Sequence, residues 1–127
     1  MPAFGGLMAA ASRMRGLEGV IIEGGVRDTA EIEALGLPVF ARSITPATGV
    51  RRQTSLSRNE PVMCGGILVY PGDSIVADRD GVVRIPAGRI GAVVRRAEEI
   101  EETEQKMLPV LEETGSLGET IRRFLPI

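Results

Sequence analysis

Histidine and tryptophan are missing from this 127-residue chain, and cysteine occurs once, at Cys64. Each absence closes a route. Without histidine the chain lacks the usual general base near neutral pH and the usual transition-metal ligand. A structural zinc site needs a cluster of Cys and His, which a single thiol cannot supply. The same thiol cannot close an internal disulfide, so a reducing, cytoplasmic setting is expected. With no imidazole to activate it, Cys64 reads as a small core residue. Any metal chemistry would use oxygen ligands, which suit magnesium, manganese or calcium.

Charge of one sign is also lacking. The net charge is −2, which provides no basic face for nucleic acid. The pairs Arg51-Arg52, Arg95-Arg96 and Arg122-Arg123 are scattered and read as solvated surface. No run approaches the roughly 18 apolar residues of a membrane span. Arg13 and Arg15 follow the first apolar run instead of preceding it, the wrong order for a secretory leader.

What is present is ordinary for a globular protein: 43% hydrophobic and 25% charged residues, enough for one domain over residues 1–127. "GLMAAASRMR" (6–15) favours helix, with Gly16 as its C-terminal stop. "GVIIEGG" (19–25) is a β-branched run bounded by glycines and reads as a buried strand, ending near Glu23 with a tight reversal at Gly24-Gly25. "DTAEIEAL" (28–35) has acidic first turns and Gly36 behind it, a short helix. "PVFARS" (38–43) is the next strand, and this alternation predicts a parallel, covered sheet. Residues 44–60 lack a period and read as a long, potentially functional loop.

Beyond residue 60 the pattern changes. "PVMCGGILVYPGDSIVADRDGVVRIP" holds three or four short strands parted by turn signals, a β-meander. Residues 87–113 are helical and acidic, with Pro109 expected to break or kink them. "SLGETIRRFL" (116–125) offers Ser116 and Glu119 at capping-box spacing. The terminal helix pair is amphipathic; packing on its own sheet is favoured over a subunit contact.

Candidate chemistry gathers where the first β-α unit turns over. Arg27 and Asp28 fall at the carboxyl end of a strand and the start of a helix, where open α/β sheets bind ligands. Asp28 and Glu31 share a helix face and could hold a hard divalent cation. Simple capping by Asp28 beside a surface arginine fits the same local pattern. "FGGLMAA" (4–10) places two glycines before a helix, so the amides of Leu7 and Met8 could receive an anion, although a plain turn fits as well.

The spacing Gly6, twenty residues, Arg27-Asp28, two residues, Glu31 resembles the G-x20-R-D-x2-E/D pattern of RraA-like proteins. "GVIIEGGVRD", "GLPVFARSITP" and the 61–86 block resemble the family's successive blocks, in order. This family includes metal-dependent 4-hydroxy-4-methyl-2-oxoglutarate aldolases and regulators of ribonuclease E. The resemblance implies a layered β/β/α swivelling-type α/β fold. It also implies a Mg2+ or Mn2+ ion on Asp28 and Glu31, and a 2-oxo acid held by Arg27, Gly6 and the amides of Leu7 and Met8. Arg27 would be the catalytic residue, stabilising a pyruvate enolate, with a metal-bound water as first candidate for the base. In the fully developed aldolases aspartate stands at the position of Gly6, and Glu31 would substitute for it here. Homotrimers or hexamers are implied, with no nucleic-acid or membrane partner. A non-catalytic regulator and an inactive remnant are the alternatives. Family members usually carry some eighty or more further residues ahead of Met1, so the chain is expected to correspond to their C-terminal part.

Overall fold

The structure, a computed structural model, describes residues 2–50 and 54–125. Arg51 and Arg52 lie outside the described residues. The chain divides into two compact units, Met1–Arg84 and Ile85–Ile127.

The first unit opens β1 (Pro2–Phe4), α1 (Gly6–Met14), β2 (Val20–Val26), α2 (Thr29–Leu35) and β3 (Val39–Ile44). Its three strands pair parallel in the order β1-β2-β3, as the alternation of strand and helix requires. Phe4, Ala9, Val26, Ile32 and Leu37 form the buried core, flanked by Val20, Ile22, Leu35 and Val39. Each strand and helix therefore contributes an apolar residue to one layer between sheet and helices. Gly16 and Gly36 adopt positive φ just past their helices, the stop that glycine allows.

Two expectations are corrected here. Gly24-Gly25 is no turn, because β2 runs straight through it to Val26. Gly25 and Val26 pair with β1 on one side and with Ser43 and Ile44 of β3 on the other, which holds the backbone extended. The glycines appear instead as a shift of register between Ile22 and Gly25, a bulge in mid-strand. Asp28, in turn, precedes α2 without capping it through its side chain.

Residues 45–61 contain no helix or strand among those described. Four strands follow, as two hairpins and not one meander. β4 (Val62–Cys64) pairs antiparallel with β5 (Ile67–Val69), and β6 (Ser74–Ala77) with β7 (Val82–Ile85) forms a separate two-stranded sheet. Gly65 and Gly66 both have positive φ, the geometry of a tight hairpin turn. β2, β3 and these hairpins border an open cleft of about 810 Å³ lined mainly by apolar side chains, among them Val20, Ile22, Phe40, Ile67 and Val82.

In the second unit α3 (Ile90–Thr114) is followed by α4 (Leu117–Phe124). Pro109 lies inside α3 and does not end it. Proline deletes one backbone donor, and the C-terminal turns of α3 pack on α4, which holds the helix together past it. Ser116 caps α4 by accepting from the Glu119 amide at 3.3 Å, while the Glu119 side chain pairs with Arg123 one turn on. Arg96 and Arg123 are both exposed and ion-paired within their helices. No described helix is long and apolar enough to cross a membrane.

Candidate active site at the start of helix α1

Gly5 is extended, and α1 begins at Gly6. The first amide of the helix with a backbone acceptor is that of Ala9, bonded to Gly5 O at 3.0 Å. The amides of Gly6, Leu7 and Met8 precede it and have no carbonyl one turn back. The backbone N–H of Arg27 donates to Phe4 O at 3.1 Å. That bond fixes the end of β2 beside the start of α1.

Asp28 then turns its carboxylate toward the neighbouring helix. Its Oδ2 accepts from the Gly6 amide at 2.9 Å and lies 3.5 Å from Arg27 Nε. Its backbone sits at φ 60, a left-handed conformation uncommon outside glycine. Two bonds hold it there: the one to Gly6, and the Ile32 amide donating to its carbonyl at 3.1 Å. The Arg27 and Asp28 side chains remain 32% and 38% exposed, open to a ligand.

A side chain at either entry position would press on the flexible ends of its neighbours. A Cβ on Gly5 would lie 2.9 Å from Arg27 Cζ and 2.9 Å from Asp28 Oδ2, and one on Gly6 would strike Glu31 Oε2. The Glu31 carboxylate thus fills the space that a side chain at position 6 would take. Asp28 and Glu31 converge over Gly6 from the same end of α2, beside a shallow hollow lined by Gly6, Leu7, Ala10, Glu31, Ala34 and Leu35. The donor set fits a hard divalent cation: two carboxylates, with no nitrogen or sulfur donor beside them. No third acid, thiol or imidazole joins them among the described residues. A cation here would complete its shell with water or substrate oxygens.

All the sequence-derived candidates therefore meet at one corner: Gly6, Leu7 and Met8 on α1, Arg27 and Asp28 after β2, and Glu31 on α2. Gly5 belongs to the glycine pair read from the sequence, which gives it no role of its own.

A second polar cluster was not foreseen. Glu23 on β2 accepts from Arg42 Nη1 at 2.6 Å and from the Gly65 amide at 2.6 Å. Its partners lie 19 and 42 residues away in sequence, too far for any local pattern to show. The Gly65 bond holds the Glu23 carboxyl below its usual range, with Arg42 and the Cys64 thiol acting the same way. Burial, then the Glu23 charge, pushes the Cys64 thiol up. That leaves Cys64 a poor nucleophile.

Comparison with known proteins gives the family. The family model RraA-like, Aldolase/RraA, matches residues 1–84, the extent of the first unit. The chain belongs to the RraA-like family. An uncharacterized protein of Methanocaldococcus jannaschii is 39% identical over 82% of this chain and 50% of its own length. A protein of Halalkalibacterium halodurans, provisionally named 4-hydroxy-4-methyl-2-oxoglutarate aldolase, is 35% identical over 73% of this chain and 44% of its own. Among solved structures, an uncharacterized Pseudomonas syringae protein superposes with TM-score 0.81 at 27% identity, covering 94% of this chain and 60% of that one. Streptomyces coelicolor RraAS2, described as an unusual member of the RNase ES inhibitor RraA family, gives TM-score 0.70 at 29% identity, over 83% and 54%. The RraA-like chain has the mixed α/β fold of these relatives and spans about half the length of the curated ones it matches.

Proposed function

We propose that the chain is a divalent-metal-dependent lyase that cleaves a C–C bond of a 2-oxo acid and releases pyruvate. The type is that of 4-hydroxy-4-methyl-2-oxoglutarate aldolase or oxaloacetate decarboxylase. The observation that carries the reading is the convergence of Arg27, Asp28 and Glu31 on the amide-rich start of α1. Aldolase names among the relatives support the lyase class.

Asp28 and Glu31 would hold magnesium or manganese, which supplies a Lewis acid at the keto oxygen. The amides of Leu7 and Met8 take the substrate carboxylate at the positive end of α1. Arg27 takes the oxygen on which negative charge develops. In decarboxylation the bond between C3 and C4 breaks, carbon dioxide departs, and its bonding pair forms the enolate of pyruvate, which a solvent proton quenches. In retro-aldol cleavage the substrate hydroxyl gives up its proton as the bond breaks, and water is its acceptor in a chain without histidine. Assembly as homotrimers or hexamers in the cytoplasm belongs to this reading.

Pyruvate release from oxaloacetate, corrected for the metal's own background, tests it. Chelation should abolish release, and magnesium or manganese should restore it. Undiminished release after chelation would defeat the metal assignment. A second reading, regulation of a ribonuclease, draws on the likeness to RraAS2 and to an RNA-processing inhibitor RraA from Thermus. A folded chain that releases no pyruvate with either metal, yet slows ribonuclease E, would favour it.

A further inference from the structure

The shallow hollow beside Asp28 and Glu31 is a groove between two helix faces. Gly6, Leu7 and Ala10 line it from α1, and Glu31, Ala34 and Leu35 line it from α2. Within each set the residues are three or four apart, so each falls on one face of its helix. The space between them is about 390 Å³. Ala10 and Ala34 keep it open, because a methyl group is the smallest side chain that can stand there. Leu35 is half-buried and Leu7 is 90% exposed. The walls are therefore methyl and isobutyl groups, and the one ionisable residue among them, Glu31, is an acid.

Gly6 and Glu31 belong to this groove and to the candidate site alike. Arg27 stands against Asp28 and does not line it. We propose that the groove seats the substituent at C4 of the substrate, so that the chain prefers 4-hydroxy-2-oxo acids with an alkyl group there over those with a second carboxylate. This rests on the lyase reading and narrows its substrate class. A 2-oxo acid held by its carboxylate on the Leu7 and Met8 amides, with its keto oxygen at Asp28 and Glu31, extends its C4 end past Glu31 into the groove. An alkyl group entering there takes apolar surface out of water on both partners. A carboxylate would exchange its hydration for methyl groups and a like charge. With 4-hydroxy-2-oxopentanoate, the C4 hydroxyl passes its proton to water and becomes the carbonyl of acetaldehyde as the C3–C4 bond breaks. The bonding pair stays on C3 as the pyruvate enolate, which takes a proton from solvent.

Pyruvate release by the full chain with Mn2+ tests this on 4-hydroxy-2-oxopentanoate and 4-hydroxy-2-oxoglutarate, with oxaloacetate as control. The first two differ only in methyl against carboxylate at C4. kcat/KM should favour the pentanoate roughly tenfold, the lower end of what one group in an apolar pocket is worth. Lengthening its methyl to ethyl should raise kcat/KM about threefold, a little less than a fully buried methylene gives. Ala34→Arg, at an exposed position of α2, should reverse the preference by offering the carboxylate a partner, with the melting temperature checking that the variant folds. Equal or higher kcat/KM for the glutarate, with pyruvate still released from oxaloacetate, would overturn the proposal and leave the lyase reading standing. A preference that a folded Ala34→Arg variant does not move would overturn it as well. Pyruvate from none of the three substrates would overturn both.

Discussion

Two Arg–Asp pairs in the first unit have the same chemistry and opposite settings. Asp73 is enclosed: its Oδ2 accepts from the Tyr70 amide at 2.8 Å and from Arg84 Nε at 2.5 Å, and its side chain is 2% exposed. Arg84 also lies 5.3 Å from the Tyr70 ring centroid, a cation–π distance. Such a pair closes the turn between β5 and β6 onto β7. Arg27 and Asp28 are looser, at 3.5 Å, and more exposed. One Asp28 oxygen bonds a helix-start amide, and its backbone is held at positive φ. A buried carboxylate tied to two donors stabilises a fold. One held in a strained conformation beside unpaired amides is available to a ligand.

The comparison breaks most directly at Arg27. Arg27→Lys keeps the charge but loses the planar two-pronged grip on a carboxylate. kcat/KM for oxaloacetate should fall by on the order of 2–4 kcal/mol in transition-state stabilisation, with the melting temperature scarcely moved. Unchanged turnover in an active chain would make Arg27 a surface charge and remove the contrast between the two pairs.

The next effect is expected at Gly6. Gly6→Ala removes no ligand, but its methyl displaces the Glu31 carboxylate. Mn2+ affinity, read by electron paramagnetic resonance, should fall roughly tenfold, the lower end of what misplacing a ligand costs. An unaltered affinity would exclude Glu31 from the metal site.

At the other pair the expectation reverses. Asp73→Ala should cost on the order of 1–2 kcal/mol in urea unfolding, from the hydrogen bonds it leaves unmade, while Mn2+ affinity stays as it was. A loss of affinity there would mean that the two pairs are not separable.

The smallest effect is a pH dependence. Glu23 has its pKa lowered in the folded state, first by the Gly65 amide. The unfolded state therefore binds its proton at higher pH, and the stability it contributes is present above the ordinary glutamate range. That contribution fades as pH falls through the lowered folded value. Glu23→Gln should flatten this acid arm of the stability profile and leave the neutral region nearly level. An unchanged acid arm would assign the dependence to other carboxylates.

Local chemistry made much of this molecule legible. The first three-element alternation, the glycine stops at Gly16 and Gly36, the Ser116 cap and the hairpin glycines follow from interactions within a few residues. The Gly6, Arg27, Asp28 and Glu31 set was visible as spacing. Its geometry was not, since capping and ligand binding ask for the same residues in the same order. What separates them is a bond across 22 residues, from the Gly6 amide to Asp28.

The remainder was decided by tertiary structure. A three-residue β1 carries too little pattern to be seen, yet its pairing carries β2 through Gly24-Gly25. Pro109 stays inside α3 because the turns beyond it pack on α4. Glu23, Arg42 and Gly65 meet only when a sheet and a hairpin come together. The sequence by itself determined the elements, their ends and the residue types of the corner, because those depend on neighbours along the chain. Only the folded chain decided which carboxylate is enclosed and which is left open, because hydrogen-bond partners are assigned by proximity in space.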